Sequence, residues 1–223
     1  MALEKLTSET PSSYAATLKD LIDSRKESRK DVRRDLKDEL VTDRIAKLGV
    51  EFEAALTTAT GAVSSTGDPT YIGIARIVIR DRLKEVEKLS ASLYRPGQIK
   101  PLHEMRIAAK GLRYAVELFA DCWGSKILDF AKETAHLQTA LGKLHDCDVW
   151  IESFEKEILQ SKKQKIRDQT ETFVWLYTHF SQLRTKSFQE AFSIWNQWVA
   201  DDMSNRLQEA LKPTTATQTT LKG

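Results

Sequence analysis

Four basic residues recur at about one-turn spacing in the middle of the sequence: His103, Arg106, Lys110 and Arg113. At about 100° of rotation per residue they fall within one helical arc about 80° wide, and apolar residues fall roughly opposite. Arginine offers forked donors to phosphate oxygens, lysine a mobile point charge, and histidine a further N–H donor. Tyr114, at the edge of the arc, adds a hydroxyl donor. These four basic residues, which we call the cationic ridge, therefore predict an anion-binding helix face, suited to a chain of phosphates.

Charge alone leaves a second interpretation of the ridge open, because most basic stripes on helices are solvated faces. Glu117 is the only acidic residue that continues the ridge, so i,i+4 ion pairs do not account for the stripe. The net charge of the chain is +2, from 34 basic and 32 acidic residues. A balance this even does not indicate a polyanion partner, so the prediction depends on where the charges cluster.

Further arginines stand in or beside apolar stripes. Arg25 and Arg29 interrupt the stripe of the first predicted helix, and Arg76 and Arg80 flank the stripe of the helix predicted over 70–94. Arginine in a core-facing row is costly unless it meets an anion, a carboxylate or water. Ligand contact, pairing with a carboxylate and surface exposure therefore all stay open for these four residues. The first helix has an apolar stripe of Leu18, Leu21, Ile22, Val32, Leu36 and Leu40.

Helical periodicity runs through most of the chain, without a convincing strand pattern, so the predicted fold is all-α, as antiparallel bundles of long helices. The ridge lies on a helix predicted over 101–121 and ended by Gly124. The clearest loop is 61–69, rich in Gly, Ser and Pro. The helical domain is expected over 12–212, followed by a disordered tail over 213–223. Other helices are predicted over about 12–40, 42–60, 70–94, 125–144, 149–162, 166–185 and 187–211.

Two segments resemble the signatures of the conserved-histidine α-helical domain family, known as CHAD. Residues 102–119, LHEMRIAAKGLRYAVELF, contain its His-x-x-Arg pattern, and residues 137–150, LQTALGKLHDCDVW, resemble its second signature, Leu-Gly-x-x-(Arg/His/Asn)-Asp. Two signatures in this order are a specific signal, and the resemblance is strongest over 100–160. The chain departs from the family pattern at Gly111, which interrupts a basic pair, and over 1–100, which contains no histidine and so no first copy of the signatures.

The resemblance implies a helical domain that binds inorganic polyphosphate through a basic surface, without catalysis. Carried over by position, it makes the ridge residues ligand contacts and adds Lys143 and His145. Asp146 and Asp148 are interpreted as orienting neighbouring cationic side chains. A nucleic-acid-binding protein ranks second, because only Tyr114 offers a ring for base stacking. A scaffold that recruits a phosphate-metabolising enzyme is compatible with the first interpretation.

Motifs for catalysis and metal binding are not found in the sequence. It contains no CxxC, HxxxH, HExxH, GxSxG, Walker or GxGxxG pattern, and the adjacent residues of His145–Asp148 point in different directions on a helix. Neither an enzyme nor a cofactor is expected. Two cysteines, an N-terminus without an apolar signal core and the lack of a long apolar stretch predict a cytoplasmic protein without a membrane anchor. Association with polyphosphate granules and a homo-oligomer are left open.

Overall fold

The computed structural model describes residues 3–41, 47–54 and 71–212. Regular structure in these ranges is helical, with no strand, which confirms the all-α prediction. The helices are α1 (Ala15–Val41), α2 (47–54), α3 (Tyr71–Leu89), α4 (Ile99–Leu118), α5 (Leu128–Gln164), α6 (Arg167–Ala200) and α7 (Met203–Ala210). Over the described ranges none of them combines the length and apolar character needed to cross a bilayer. The loop predicted over 61–69 and the tail predicted over 213–223 lie outside the described residues.

The chain divides into two compact units. The first comprises residues 1–68 and 157–175, and the second comprises residues 69–156 and 176–223. The cationic ridge and both predicted signature segments lie in the second unit, whereas α1 lies in the first.

The core of the second unit is formed by α3, α4, the first part of α5 and the second part of α6. Ile79 and Leu83 of α3, Leu112 of α4, Leu141 of α5 and Ala191 of α6 are at most 2% exposed. They recur at helical spacing with other apolar residues, which gives each helix one buried face. Burying a side chain of the size of leucine contributes about 1.5–3 kcal/mol, so this core holds the helices in fixed register.

Consecutive helices of the second unit run antiparallel, as predicted. Arg106 of α4 approaches Gly142 of α5, while the earlier His103 approaches the later His145. On the next pair, Lys143 of α5 meets Glu190 of α6. Opposite directions along each pair are typical of an up-and-down bundle.

The ridge helix α4 begins and ends where local chemistry favours it. Pro101 occupies its first turn, where a missing N–H costs little. The helix ends at Leu118, a short 3₁₀ turn follows at Ala120–Cys122, and the chain then passes Gly124 with a φ of 75°. This left-handed conformation favours glycine. The predicted ridge helix is therefore confirmed, with ends displaced by the usual few residues.

Two predicted helix breaks are wrong. α5 continues from Leu128 to Gln164, so the segment LGKLHDCDVW lies inside a helix and not at its end. α6 runs unbroken from Arg167 to Ala200, and the break expected near residue 186 lies instead at Asp202, with a φ of 51°. Asp and Cys are weak helix formers, but Cys147 and Asp148 are both buried, and packing overrides propensity.

The apolar stripe predicted for α1 faces a core over only part of its length. Its first three members, Leu18, Leu21 and Ile22, are buried. Val32 is 66% exposed and Leu36 is 56% exposed, as is about half of the Leu40 side chain. The beginning of α1 is therefore covered by the first unit, whereas these later positions of the stripe are exposed to solvent.

A buried ion pair links α5 to α6 in the second unit. Arg184 donates through Nε to Asp148 and through Nη2 to the carbonyl oxygen of Pro96, at 2.7 Å. The Asp148 side chain is 6% exposed and that of Arg184 is 19% exposed. Asp148 thus orients an arginine, as predicted, and that arginine also holds the segment that leads into α4.

Replacing Arg184 with methionine should destabilise the second unit, because the Asp148 carboxylate would stay buried without its partner. We expect the free energy of unfolding to fall by about 3–5 kcal/mol, measured by urea denaturation followed by circular dichroism. Lys132→Met is the control, since Lys132 pairs with Asp129 where both side chains are about 70% exposed, and should cost less than about 1 kcal/mol. Equal effects of the two substitutions would show that the buried pair is not a main link.

Candidate functional site

The ridge lies on the flank of α4 that faces α5. Met105 and Leu112 turn the opposite side of the helix into the core, where both are fully buried. His103, Arg106 and Arg113 are consequently half-buried at the α4–α5 junction, whereas Lys110 is exposed. The arc predicted from the sequence is therefore real, but it borders a second helix and is not a free surface.

α5 meets the ridge at Gly142 and His145, and Gln138, four residues before Gly142, lies on the same face of the helix. Nε of Arg106 lies 3.7 Å from the position that a Cβ at Gly142 would take, so the arginine side chain crosses α5 at this glycine. The rings of His103 and His145 have centroids 4.2 Å apart. The structure thus brings His145, named by the resemblance, directly to the ridge.

Several buried nitrogens at this junction lack a hydrogen-bond partner among the described residues. They are Nδ1 of His103, Nδ1 of His145 and Nε of Arg113. Arg113 Nε lies 3.3 Å from Oε1 of Glu117, within ion-pair distance, but the alignment is not that of a hydrogen bond. Buried polar groups are normally hydrogen-bonded, and a missing partner costs about 1–3 kcal/mol. Their concentration at one junction therefore points to a polar ligand.

The side-chain amide of Gln138 adds to the same junction. Its Oε1 is buried and has no partner within the described ranges. Rotating the amide by half a turn would present its NH₂ group, a donor, at the same place. Sequence reasoning missed Gln138 and Gly142, although their i, i+4, i+7 spacing with His145 was visible once one continuous helix was assumed.

The two histidines and Arg106 place like charges close together. Burial lowers the pKa of His103, and the neighbouring His145 and then Arg106 lower it further, against a smaller opposing effect of Glu104. His103 is therefore predominantly neutral near pH 7 when no anion is bound. An anion at the junction would favour its protonated form.

Tyr114 lies beneath two of the ridge cations. Lys110 Nζ is 5.5 Å and Arg113 Cζ is 4.8 Å from the centroid of its ring. Such cation–π contacts hold a flexible side chain over a fixed platform and contribute about 0.5–1 kcal/mol at exposed sites. Tyr114 thus positions two ridge cations through its ring, in addition to the hydroxyl donor predicted from the sequence.

Lys143 is not brought to the ridge. It lies two positions before His145, about 200° around α5, and therefore on the side that faces α6. There its Nζ is 3.1 Å from Oε2 of Glu190. The second signature thus supplies one residue to the α4–α5 junction and one to the α5–α6 junction.

Arg76 and Arg80 lie on a side of α3 that faces away from α4. Arg76 Nε donates to the carbonyl oxygen of Leu211 at 2.8 Å, which holds the chain just after α7. Arg80 Nε is buried, and no partner for it occurs in the part of the chain that the structure describes. Arg76 therefore has a structural contact, whereas Arg80 keeps an unsatisfied donor.

Arg25 and Arg29 belong to the first unit. Nη2 of Arg25 lies 3.9 Å from Oε1 of Glu157, and both side chains are more than a third exposed. Arg29 is exposed. Of the three alternatives left open by the sequence, carboxylate pairing is the one observed for Arg25 and solvent exposure is the one observed for Arg29.

The His145–Asp148 segment presents its side chains to different surroundings. Burial, together with the nearby Asp148 and Asp146, raises the pKa of Cys147 to about 11, so its thiol stays protonated at neutral pH. Over residues 3–41, 47–54 and 71–212, no three His, Cys, Asp or Glu side chains gather as a metal site would require.

The lowered pKa of His103 predicts how stability depends on pH. Between that lowered pKa and the ordinary value of 6.5, the folded protein binds fewer protons at His103 than the unfolded chain does, so stability rises with pH. The contribution of neutral His103 to the free energy of unfolding is therefore fully present above about pH 6.5, and it is lost as the pH falls toward the lowered pKa. Without ligand, the melting temperature of the wild type should therefore decrease between about pH 7.5 and 5.5 more than that of His103→Gln. Parallel curves for the two proteins would contradict the assignment.

Comparison with known proteins gives one match. A family model described as CHAD domain matches residues 1–155, which include the ridge, His145 and the histidine-free first hundred residues. No curated protein and no solved structure matches the chain significantly. With more than half of its length matched and the His103–His145 contact joining its two signature segments, the chain belongs to the CHAD domain family.

Proposed function

We propose that this protein binds inorganic polyphosphate at the α4–α5 junction and does not catalyse a reaction on it. The proposal rests on three buried nitrogens that have no hydrogen-bond partner among the described residues: Nδ1 of His103, Nδ1 of His145 and Nε of Arg113. Each can donate a hydrogen bond to an anionic oxygen when it carries a proton. A phosphate group would satisfy donors that the described residues of the protein leave unsatisfied.

The spacing of the ridge favours a chain of phosphates over a single one. Successive ridge residues lie about one turn, or ~5.4 Å, apart along α4. A compact anion would reach only two or three of them, whereas a linear polyanion can contact each in turn. The family supports the same ligand, since the resemblance to CHAD domains implies polyphosphate binding.

The environment of Tyr114 favours polyphosphate over nucleic acid. A base that stacked on this ring would compete with Lys110 and Arg113, which lie over it. Single-stranded nucleic acids gain about 1–3 kcal/mol from each stacked base, which this arrangement would reduce. A ligand that carries only phosphates has no need of the ring and can use both cations.

The side chains at the junction also favour binding without turnover. Enzymes that transfer phosphoryl groups use metal ions held by carboxylates, or other fixed means of stabilising the developing charge. The junction is lined by histidine and arginine, with the carboxylates of Glu117 near Arg113 and Glu104 near His103, and the described residues gather no metal-binding group of three His, Cys, Asp or Glu side chains. We therefore propose a binding module, with a role as a scaffold for a partner enzyme compatible with it.

Arg106→Ala tests the site, because the Arg106 side chain lies against Gly142 of α5, within the α4–α5 junction. We expect about a tenfold loss of affinity for long-chain polyphosphate, or ~1.4 kcal/mol, by isothermal titration calorimetry. Arg206→Ala is the matched control, because it removes the same charge from the same unit. Like Arg106, Arg206 is partly exposed; its own partner is Glu133. The control should change the affinity less than about twofold.

Equal loss in both variants would contradict the site and leave only a general effect of charge. Circular dichroism of each variant checks that the fold is retained. Single-stranded RNA, added at the same phosphate concentration as competing polyphosphate, should displace labelled polyphosphate less effectively. More effective displacement by RNA would favour the nucleic-acid alternative.

Absence of catalysis is tested separately. Incubation of the wild type with excess long-chain polyphosphate and Mg²⁺ or Mn²⁺ should release no more phosphate than a buffer control does. Release that is proportional to enzyme concentration and abolished by Arg106→Ala would overturn the proposal that the protein only binds.

A further inference from the structure

Two glycines lie inside helices of the second unit, and an arginine of the preceding helix lies against each. Nε of Arg106 from α4 lies 3.7 Å from the Cβ position of Gly142 in α5. In the same way, Cδ of Arg82 from α3 lies 3.5 Å from the Cβ position of Gly111 in α4, and its Nε lies 4.0 Å away. These distances are ordinary van der Waals contacts, so each arginine side chain packs directly against the next helix at its glycine.

The two arginines approach α4 from its two sides. Five residues separate Arg106 from Gly111, which corresponds to about 140° around the helix axis. The arc between them faces solvent and contains Lys110 and Tyr114, both exposed. Arg106 thus lies at one edge of the exposed face of α4, Arg82 lies at the other, and Lys110 lies between them.

The guanidinium of Arg82 can bind an anion where it lies. Its Nη1 donates to both carboxylate oxygens of Glu85, at 2.9 and 2.7 Å. Both side chains are about half exposed, so this i,i+3 pair is weak and exchangeable. Within the described residues the contacts of Arg82 with Glu85 use Nη1 alone, which leaves Nε and Nη2 as further donors.

We propose that Arg82 is a further polyphosphate-binding residue, and that the ligand crosses the exposed face of α4 from Arg106 past Lys110 to Arg82. The stem of Arg82 packs against Gly111, so α3 supplies a cation beside Lys110 at a position where α4 itself has none. This inference rests on the proposed function and specifies the direction of the bound chain, across α4 as well as along it.

The experiment compares Arg82→Ala with Lys84→Ala, which removes a positive charge and an i,i−3 ion pair from the same helix. Titration with long-chain polyphosphate should show about a fivefold loss of affinity for Arg82→Ala, and a salt dependence reduced by about one ion. Lys84→Ala should stay within about twofold of the wild type. Arg82→Lys, which keeps the charge, should retain most of the affinity.

Ligand length provides a second measurement. A chain that reaches from Arg106 to Arg82 must cross a helix about 10 Å wide, so tripolyphosphate should bind Arg82→Ala and the wild type equally. The melting temperature of Arg82→Ala should match that of Lys84→Ala. Equal melting temperatures would show that Arg82 does not act only by stabilising the fold through its contact with Gly111.

Equal affinity of Arg82→Ala and Lys84→Ala for long chains, with binding still lost in Arg106→Ala, would overturn this inference and leave the proposed function intact. A loss for tripolyphosphate as large as that for long chains would also overturn it, because Arg82 would then act through the fold. If the wild type bound no polyphosphate, the proposed function itself would fail.

Discussion

Repulsion between partly buried positive charges is the constraint on which the surroundings of the ridge depend. His103, His145 and Arg106 lie at one helix junction, and both burial and mutual repulsion lower the pKa of His103. The ligand-free site therefore keeps at least one imidazole neutral. Neutral histidine reduces the repulsion at little cost, while its ring nitrogens stay in place to receive a proton when an anion arrives.

The other predicted cations are held by weaker means. Arg113 lies near Glu117 at the α4–α5 junction, and Lys143 is paired with Glu190 at the α5–α6 junction. Such pairs between exposed or half-exposed groups contribute about 0–1 kcal/mol, so they position a side chain without binding it tightly. Tyr114 acts similarly through its ring, because Lys110 and Arg113 both lie within cation–π distance of it. Weak internal partners are what an exchangeable anion site requires.

The sequence predicted one side of the site and missed the other. The arc of the ridge follows from the helical periodicity of a single segment. Pro101 and Gly124 mark the two ends of that segment, so α4 and its exposed flank can be predicted from the sequence. The register of α5 against α4 cannot be predicted in this way, because the polar segment at 145–148 has the composition of a helix end. A break there places Gln138 and His145 on different helices, so the sequence does not show that they share a face or that Lys143 faces α6.

Glycine shows a related limit of sequence reasoning. In the sequence Gly111 interrupts a basic pair, because a single helix shows only which side chains its own positions carry. Which neighbouring side chain packs against a glycine depends on packing between helices. Arg82 stands 29 positions away in sequence and packs against Gly111 because α3 and α4 run antiparallel in contact.

Unsatisfied donors also determine what ligand binding can do for stability. Each buried nitrogen without a hydrogen-bond partner costs the folded protein about 1–3 kcal/mol, and the phosphate oxygen of the proposed ligand would remove that cost. A ligand that binds only the folded state shifts the folding equilibrium by mass action. Because His103, His145 and Arg113 lie on α4 and α5, whose opposite faces form the core, satisfying them strengthens the contact between these two helices. On the proposed function, ligand affinity and the stability of the second unit would therefore depend on the same junction.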